Sequence, residues 1–204
     1  MPQVPRSARV TALLETAVTL VAADGLRGLT HRAVDTHAGV APGSTSYYFR
    51  TRQALLRGVV ELIAEQEQDD LDRVTLSPEL AAEPPLRQAA DLMAGVLAGW
   101  LGPARGRTRA RLEIRLLATE HPELFDGLAP LRERFLRQCH EMLLSVGCPD
   151  PGESAQLVLA AIEGLTYDGV TRPAAGAPDR VRLRQAVEMF LRAAVEHTPF
   201  SSRG

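Results

Sequence analysis

Seven consecutive residues, Pro42 to Tyr48, contain no aliphatic side chain and carry five hydroxyl groups. Small hydroxyl residues let a helix approach the major groove of DNA closely and donate to phosphates or base edges. Tyr47 and Tyr48 extend that reach, and Arg50 and Arg52 follow directly. The pattern therefore indicates contact with DNA. The alternative, a core helix with both tyrosines buried, would require an unusually polar helix to be buried.

The residues before this run predict the elements that position it. Ala38-Gly39-Val40 is a turn, since glycine accepts the positive φ of a sharp bend and Val40 can fill the wedge between two helices. We expect a first helix from about 7 to 24, ended by Gly25, and a second from 31 to 38, capped by Thr30. A third helix starts at Pro42 and ends at Phe49. Together they form a helix-turn-helix.

Helical periodicity continues to the end of the chain, and no segment alternates as a half-buried strand does. Thr51 is expected to cap a long fourth helix, and Pro85 to begin a fifth. The remaining predicted helices cover about 112–120, a seventh with an interrupted start that ends near 146, 154–170 and 179–197. The sequence predicts an all-α chain of about nine helices. Residues 1–52 form a DNA-binding head, and residues 53–204 form a body that binds an effector and dimerises.

Composition and charge narrow the class of protein. The chain has 204 residues, 45% of them apolar and 4% aromatic, with a net charge of −2. The residues up to Arg57 carry +4 and the remainder −6, so only the head should meet a polyanion. No secretory leader or 18-residue apolar run is evident, and a cytoplasmic, nucleoid-associated protein is expected. Cys139 and Cys148 lack C-x-x-C spacing, which favours reduced thiols and leaves a redox pair as the alternative.

Three segments resemble the tetracycline-repressor (TetR-like) family of bacterial regulators: LLETAVTLVAADG, LTHRAV and AGVAPGSTSYYFRTRQALL. The resemblance covers about Arg9 to Leu56 and implies a dimeric, ligand-responsive DNA-binding regulator, usually a repressor. Beyond Leu71 it extends only to the number and length of the helices. It implies DNA contacts at Thr30, Arg32, Pro42, Gly43, Ser44, Tyr47, Tyr48 and Arg52, and we expect Ser46 to face the groove as well. The N-terminus of the helix that Arg52 begins could also take a phosphate.

The sequence departs from the family pattern at a few positions within the head. Asp35 stands where a small apolar residue is usual, and we expect its negative charge near DNA to lower the affinity. Thr45 replaces a common aliphatic residue and Ser46 a common aromatic one. Ala41 replaces a frequent capping serine. Ser46 and Pro42 leave the identity of the base contacts open.

The body is expected to supply a dimer interface and an effector pocket. In the family, the last two helices of each subunit form a four-helix bundle across a two-fold axis. The apolar stripes predicted for that interface are Leu157, Val158, Ala161, Ile162, Leu165, Val187, Phe190, Leu191 and Ala194. Packing within one subunit is the alternative for both stripes. The predicted pocket residues are Met93, Leu97, Trp100, Glu113, Leu116, Phe135, Met142, Glu163 and Tyr167. Plain core residues are the alternative for each of them.

No catalytic or metal-binding function is predicted. The chain has no G-x-S-x-G, no phosphate loop and no H-E-x-x-H motif, and its Cys and His residues lack an i,i+4 pair of ligands. We therefore expect no cofactor, no metal and no membrane partner, and a palindromic operator as the DNA target of a homodimer. The alternative function is a nucleoid-associated protein that binds DNA without sequence preference, although the acidic body disfavours wrapping. The operator, the effector and the regulated genes stay open.

Overall fold

Nine helices and no strand make up the part of the chain that the computed structural model describes, residues 6–73, 83–118, 122–172 and 179–196, with only the backbone described for 122–128. In chain order the helices are α1 (Ala8–Gly28), α2 (His31–His37), α3 (Ser44–Tyr48), α4 (Arg52–Asp72), α5 (Pro85–Leu101), α6 (Arg105–Ala118), α7 (Pro122–Ser145), α8 (Pro151–Thr171) and α9 (Arg180–Glu196). The predicted all-α fold is confirmed.

Side-chain caps set the starts of three helices in the head. The Ser7 hydroxyl accepts a hydrogen bond from the Val10 N–H at 3.4 Å at the start of α1. The Thr30 hydroxyl accepts one from the Ala33 N–H at 3.1 Å, and the Thr51 hydroxyl one from the Ala54 N–H at 3.0 Å. Such caps satisfy N–H groups that have no partner within the helix. The caps predicted at Thr30 and Thr51 are confirmed.

Some helix boundaries differ from the predicted ones. The third helix begins at Ser44, not at Pro42, because Gly43 adopts a left-handed conformation with φ of 89° and cannot belong to a right-handed helix. Gly25, with φ of 66°, kinks α1, and one further turn follows up to Gly28. The sixth helix begins at Arg105, seven residues before Leu112, and Pro130 lies within α7.

The first of two compact units contains the helix-turn-helix. It takes in the described residues up to Asp69 together with 106–129. Leu14, Val21, Leu55 and Ile63 lie in its core and are fully buried. Helix α6 contributes the aliphatic side chains Ala110, Ile114 and Ala118 to the same core. The predicted boundary between residues 52 and 53 separates the DNA-binding function from the effector-binding function and stays a prediction. By packing, most of α4 and α6 belongs to the same compact unit as the helix-turn-helix.

A buried ion pair joins α4 to α6 within this unit. Arg111 Nε lies 3.0 Å from Glu67 Oε1, and the two side chains are 2% and 0% exposed. Burying two charges costs several kcal/mol per ion, roughly, unless their mutual attraction and further hydrogen bonds offset it. Removing either partner would leave the other charge buried without its counter-charge. The pair therefore fixes the register of α6 against α4.

The second unit takes in the described residues between 70 and 105 and those from 130 onward, and its helices α5, α8 and α9 pack on one another. The Arg105 guanidinium donates to the carbonyls of Gly169, Val170 and Arg172 at 2.6, 2.8 and 2.6 Å. It therefore caps the C-terminal end of α8. Gly169 lies close to α5, because an added Cβ would be 2.7 Å from the Leu101 side chain, which would have to shift. None of the described helices is long and apolar enough to cross a membrane.

Candidate nucleic-acid interface and effector cavity

The turn between α2 and α3 has the geometry that the sequence predicts. Gly39 adopts φ of 64°, which glycine reaches without steric cost. The Val40 N–H donates to the Asp35 carbonyl at 3.0 Å, and the Val40 side chain is half-buried against the core of the head. The two helices are therefore joined by a short turn in which the N–H groups of Ala38, Gly39 and Val40 are all hydrogen-bonded.

The Asp35 side chain, which we expected to place a negative charge near DNA, is buried beneath α3 and only 4% exposed. Its Oδ2 accepts a hydrogen bond from the Gly43 N–H at 2.7 Å. Its Oδ1 accepts from the Thr45 N–H at 2.8 Å and from the Thr45 hydroxyl at 2.6 Å. The structure therefore gives the carboxylate a role within the head, and the expected effect of its charge on DNA affinity stays a prediction. The carboxylate caps the N-terminus of α3, where a negative charge is favourable.

The pKa of Asp35 reports the same environment. Burial raises the pKa of the carboxyl, but the hydrogen bonds from the Thr45 side chain, the Thr45 N–H and the Gly43 N–H outweigh burial. With a smaller contribution from the charge of His31, they hold the pKa below its ordinary value. The carboxyl is therefore ionised at neutral pH and acts as an acceptor for all three donors.

Helix α3 presents its hydroxyl groups to solvent. Tyr47 is 70% exposed and Tyr48 39%, and their rings meet edge to face at 5.0 Å. Thr45 is the exception, since it is buried and bound to Asp35. Buried core tyrosines, the alternative interpretation of this helix, are therefore excluded. A helix of five residues is unstable alone, so the cap beneath it and the packing around it must hold this surface in place.

The nine residues predicted to meet DNA lie on the solvent side of this region. Eight of them are exposed and Ser44 is half-buried: Thr30, Arg32, Pro42, Gly43, Ser44, Ser46, Tyr47, Tyr48 and Arg52. Exposure is compatible with DNA contact but does not establish it, so each contact stays a prediction.

Arg52 has a structural role that the sequence did not reveal. Its Nε donates to the Leu29 carbonyl at 3.1 Å, and its Nη2 donates to the Leu26 carbonyl. Both carbonyls lie at the C-terminal end of α1, and the Leu26 carbonyl also accepts a hydrogen bond from the Leu29 N–H at 3.3 Å. Replacing Arg52 would therefore loosen the joint between α1 and α4 in addition to removing a charge.

Arg9 is a residue of this surface that the sequence analysis missed. It is exposed on α1, and its Nη2 donates to the Ser44 hydroxyl at 3.4 Å, while that hydroxyl donates to the Ala41 carbonyl at 2.7 Å. A guanidinium is thus placed at the N-terminal end of α3. The two residues are 35 positions apart in the sequence, and no local pattern marks the contact.

The close approach of α4 to the end of α3 explains Gly58. A Cβ at this position would lie 2.9 Å from Phe49 and 3.0 Å from Leu14. The Phe49 carbonyl in turn accepts a hydrogen bond from His31 Nε2 at 2.7 Å. The C-terminal end of α3 is therefore fixed by both α2 and α4.

The predicted effector-pocket residues do not form one cavity. Leu97, Trp100 and Phe135 are buried core residues, and the Trp100 and Phe135 rings lie 5.4 Å apart. Leu116 is 65% exposed on α6 and Tyr167 54% exposed on α8, so neither lines an interior space. Glu113 lies on α6 in the first unit, and Glu163 pairs at the surface with Arg132, 3.9 Å away. Helical spacing alone does not determine which face of a helix meets a cavity, and this is why Leu116 and Tyr167 were placed in an interior pocket.

A cavity of about 580 Å³ does lie in the second unit, and it shares Met93 and Met142 with the predicted set. Its walls come from the end of α4, from α5 and from α7. The lining residues are Leu71, Pro85, Gln88, Ala89, Leu92, Met93, Val96, Gln138, Glu141, Met142 and Ser145. Its size and mostly apolar lining are typical of a small-molecule site.

The predicted dimer stripes divide between the interior and the surface. Val158, Ile162, Val187 and Leu191 are buried within the single chain, because α5, α8 and α9 pack on one another. Ala161, Leu165, Phe190 and Ala194 are half-buried. Leu157 is 55% exposed on α8, and Met189, which was not predicted, is 61% exposed on α9. The alternative of packing within one subunit therefore holds for the four buried positions.

Both cysteines are buried and free. Burial, with a smaller contribution from the charge of Glu163, raises the pKa of the Cys139 thiol to about 11. Cys148 Sγ donates to the Ala194 carbonyl at 3.2 Å. Among the described residues, no group of three or more His, Cys, Asp or Glu side chains could hold a metal ion.

Comparison with known proteins identifies both halves of the chain. The family model described as "Bacterial regulatory proteins, tetR family" matches residues 13–59, and "Tetracyclin repressor-like, C-terminal domain" matches residues 84–196. No curated protein matches the sequence.

Solved structures share the fold at low sequence identity. A transcriptional regulator from Rhodococcus sp. Rha1 is 19% identical with a TM-score of 0.76, covering 92% of this chain and 96% of that one. A putative transcriptional regulator from Saccharomonospora viridis, solved in complex with choline, is 19% identical with a TM-score of 0.71, covering 92% and 97%. The multidrug binding protein EbrR, complexed with ethidium, is 22% identical with a TM-score of 0.61, covering 89% and 98%.

The carboxyl-terminal family model alone spans more than half of the chain, and the amino-terminal model coincides with the helix-turn-helix. The chain belongs to the TetR family of bacterial transcriptional regulators.

Proposed function

We propose that this regulator is a repressor that binds a palindromic operator as a homodimer and is released by a small, largely apolar effector. The observation that carries the proposal is the exposed hydroxyl face of α3, held by Asp35 on a head of net positive charge. Such a face suits the major groove, and the surrounding arginines suit phosphates. The acidic body disfavours the alternative of sequence-independent coating.

Operator selection from random DNA, followed by footprinting, tests the DNA-binding part of the proposal. We expect two protected half-sites about 34–36 Å apart, centre to centre. Uniform protection with equal affinity for a scrambled sequence would favour the nucleoid-associated alternative.

Tyr47 and Tyr167 form a matched pair of variants for the same assay. Tyr47→Phe removes one hydroxyl from α3, and Tyr167→Phe removes one from α8, where the tyrosine is 54% exposed. We expect Tyr47→Phe to weaken operator binding and Tyr167→Phe to leave it unchanged. Because each change deletes only an exposed hydroxyl, neither should alter folding. Equal effects of the two changes would remove α3 from the interface.

The dimer part of the proposal rests on the exposed apolar side chains of α8 and α9. Leu157 and Met189 would face the partner subunit, whereas Ile162 and Phe190 are too buried to test the interface without disturbing the fold. Leu157→Arg should yield a folded monomer, since an arginine would face the partner's apolar surface without a counter-charge. Leu144→Arg, at a leucine equally exposed on α7, is the control. Light scattering that finds both variants dimeric would contradict this interface.

The effector part of the proposal rests on the cavity and on α4. Helix α4 carries Leu71 in the cavity wall and begins at Arg52, which is bound to the end of α1. A ligand that displaces Leu71 therefore has a continuous helix through which to act on the head. Related folds have been solved with choline and with ethidium, which supports a small-molecule role for this cavity. Release of labelled operator by a cavity ligand is the test, and a ligand that binds without release would refute the coupling.

A further inference from the structure

The cavity wall contains a buried hydrogen-bond acceptor that has no partner. Gln138 Oε1 is inaccessible to solvent and makes no hydrogen bond, although the side chain lines the cavity. A buried carbonyl without a donor costs about 1–3 kcal/mol. When the terminal amide rotates so that Oε1 turns into the cavity, a ligand that supplies an N–H or O–H there would remove that cost. A ligand without one would leave the cost in place.

The formal charge of the lining is negative. Glu141 lines the cavity, one turn of α7 from Gln138, and makes no ion pair with any described residue. None of the described lining residues is basic. Among the nearby arginines, Arg87 pairs with Glu83 at 3.4 Å and Arg134 pairs with Asp72 at 2.9 Å. An anionic ligand would therefore meet a carboxylate and no basic side chain among the described lining residues.

The rest of the wall is apolar and adaptable. Met93 and Met142 contribute thioether side chains, which fill irregular space and are polarisable. Leu92 and Val96 add a rigid aliphatic surface on α5. This part of the cavity suits a hydrocarbon or aromatic body.

We propose that the cavity selects an organic cation that carries at least one N–H bond: a protonated amine with an apolar body. The N–H donates to Gln138 Oε1, the positive charge lies near the Glu141 carboxylate, and the body packs between the two methionines. The inference rests on the proposed role of this cavity as the effector site and names the class of effector. It excludes fatty acids and other anions as ligands of choice.

Four probes that share a ten-carbon chain and differ in the head group test the proposal on the protein in the oligomeric state it has in solution: decylamine, decyltrimethylammonium, decanol and decanoate. Binding is measured by titration calorimetry and by the fluorescence of Trp100, which lies one turn beyond the cavity residue Val96 on α5. Decylamine should bind at least about tenfold more tightly than decanol or decanoate, the difference expected for a charge-assisted hydrogen bond. It should also exceed decyltrimethylammonium, which has no N–H. Decanoate binding as tightly as decylamine, or no binding by any probe, would overturn the proposal.

Variants separate the two polar groups. Gln138→Leu should weaken decylamine about tenfold and decanol less, because both head groups donate to the carbonyl but only the ammonium does so with a charge. The same variant should leave decanoate binding unchanged or improve it, because decanoate has no donor for that carbonyl. Glu141→Gln should weaken decylamine and strengthen decanoate. Gln156→Leu and Glu153→Gln, both at exposed positions on α8, are the controls and should change nothing. Parallel loss of all four probes in Gln138→Leu would indicate a damaged cavity and count against a specific hydrogen bond.

Operator release is scored separately from binding. If decylamine binds with the predicted selectivity but leaves operator affinity unchanged, the ligand class stands and the effector role proposed above fails. If release is caused by decanoate and not by decylamine, the effector role stands and the ligand class is wrong.

Discussion

Replacing Asp35 by alanine should detach the recognition helix from its support while leaving the rest of the head folded. The carboxylate binds three donors that belong to the start of α3: the Gly43 N–H, the Thr45 N–H and the Thr45 hydroxyl. Alanine cannot accept any of them, and the site is too buried for water to replace the carboxylate fully. The five residues of α3 would then rely on packing alone.

The magnitude follows from the three lost hydrogen bonds. Loss of an N-cap acceptor costs about 1–2 kcal/mol. The Thr45 hydroxyl, which is fully buried, loses its acceptor at a further cost of about 1–3 kcal/mol. We therefore expect Asp35→Ala to lower the free energy of unfolding by about 3 kcal/mol. Thr45→Val removes only the hydroxyl bond and should cost about 1 kcal/mol.

Urea unfolding and operator titration of the two single variants and the double variant form the assay. The Asp35→Ala and Thr45→Val effects should be less than additive, because they share one hydrogen bond. Operator affinity should fall more than tenfold for Asp35→Ala under conditions where the protein is still folded. Asp150→Ala is the control, since Asp150 is the N-cap residue of α8 and its side chain makes no capping hydrogen bond. Wild-type stability together with wild-type operator affinity in Asp35→Ala would refute the assigned role.

Three further predictions concern pH, packing and thiol reactivity. Because folding lowers the pKa of Asp35, the ionised carboxylate stabilises the folded state above about pH 4. The difference in unfolding free energy between wild type and Asp35→Asn should therefore shrink as the pH falls below that value. A difference that grows in acid would contradict the lowered pKa. Gly58→Ala should lower the free energy of unfolding in urea by about 1–3 kcal/mol, because the added Cβ would meet Phe49 and Leu14. An unchanged free energy of unfolding would show that these two side chains can shift to make room for it. Cys139, with a pKa of about 11, should resist iodoacetamide at pH 7.5 in the folded protein and react once urea is added; rapid labelling without urea would show an accessible thiolate.

The helix-turn-helix was predictable because its signals are local. Gly39 marks the turn by its need for positive φ, and Thr30 and Thr51 mark helix starts through hydrogen bonds to residues three positions ahead. Each signal lies within a few residues of the feature it predicts. The exposure of Tyr47 and Tyr48 followed from the absence of aliphatic residues around them.

The supports of the recognition helix were not predictable by the same reasoning. Asp35 was interpreted by its charge alone, since an acid beside a DNA-binding helix suggests repulsion. Its actual partner, Thr45, is ten residues away, across the turn. Arg52 was likewise interpreted by charge, although its guanidinium binds the carbonyls at the end of α1. A charged side chain near a functional surface has two possible partners, the ligand and the protein's own helix ends, and composition does not distinguish between them.

In the body, apolar periodicity predicts the helices but not what covers each of their faces. An apolar stripe establishes that a helix face is covered, but not whether its own subunit or a second one covers it. Val158 and Ile162 are covered by the chain itself, while Leu157, adjacent to Val158 in the sequence, points to solvent. One helix thus has apolar side chains that pack within their own chain and, beside them, an apolar side chain that is exposed to solvent. The same ambiguity applies to the cavity, where Met93 and Met142 line open space but Leu97, one turn beyond Met93, is packed in the core. Distinguishing such neighbours requires knowing how α5 is rotated against α7, and that rotation depends on contacts between residues that are distant in the sequence.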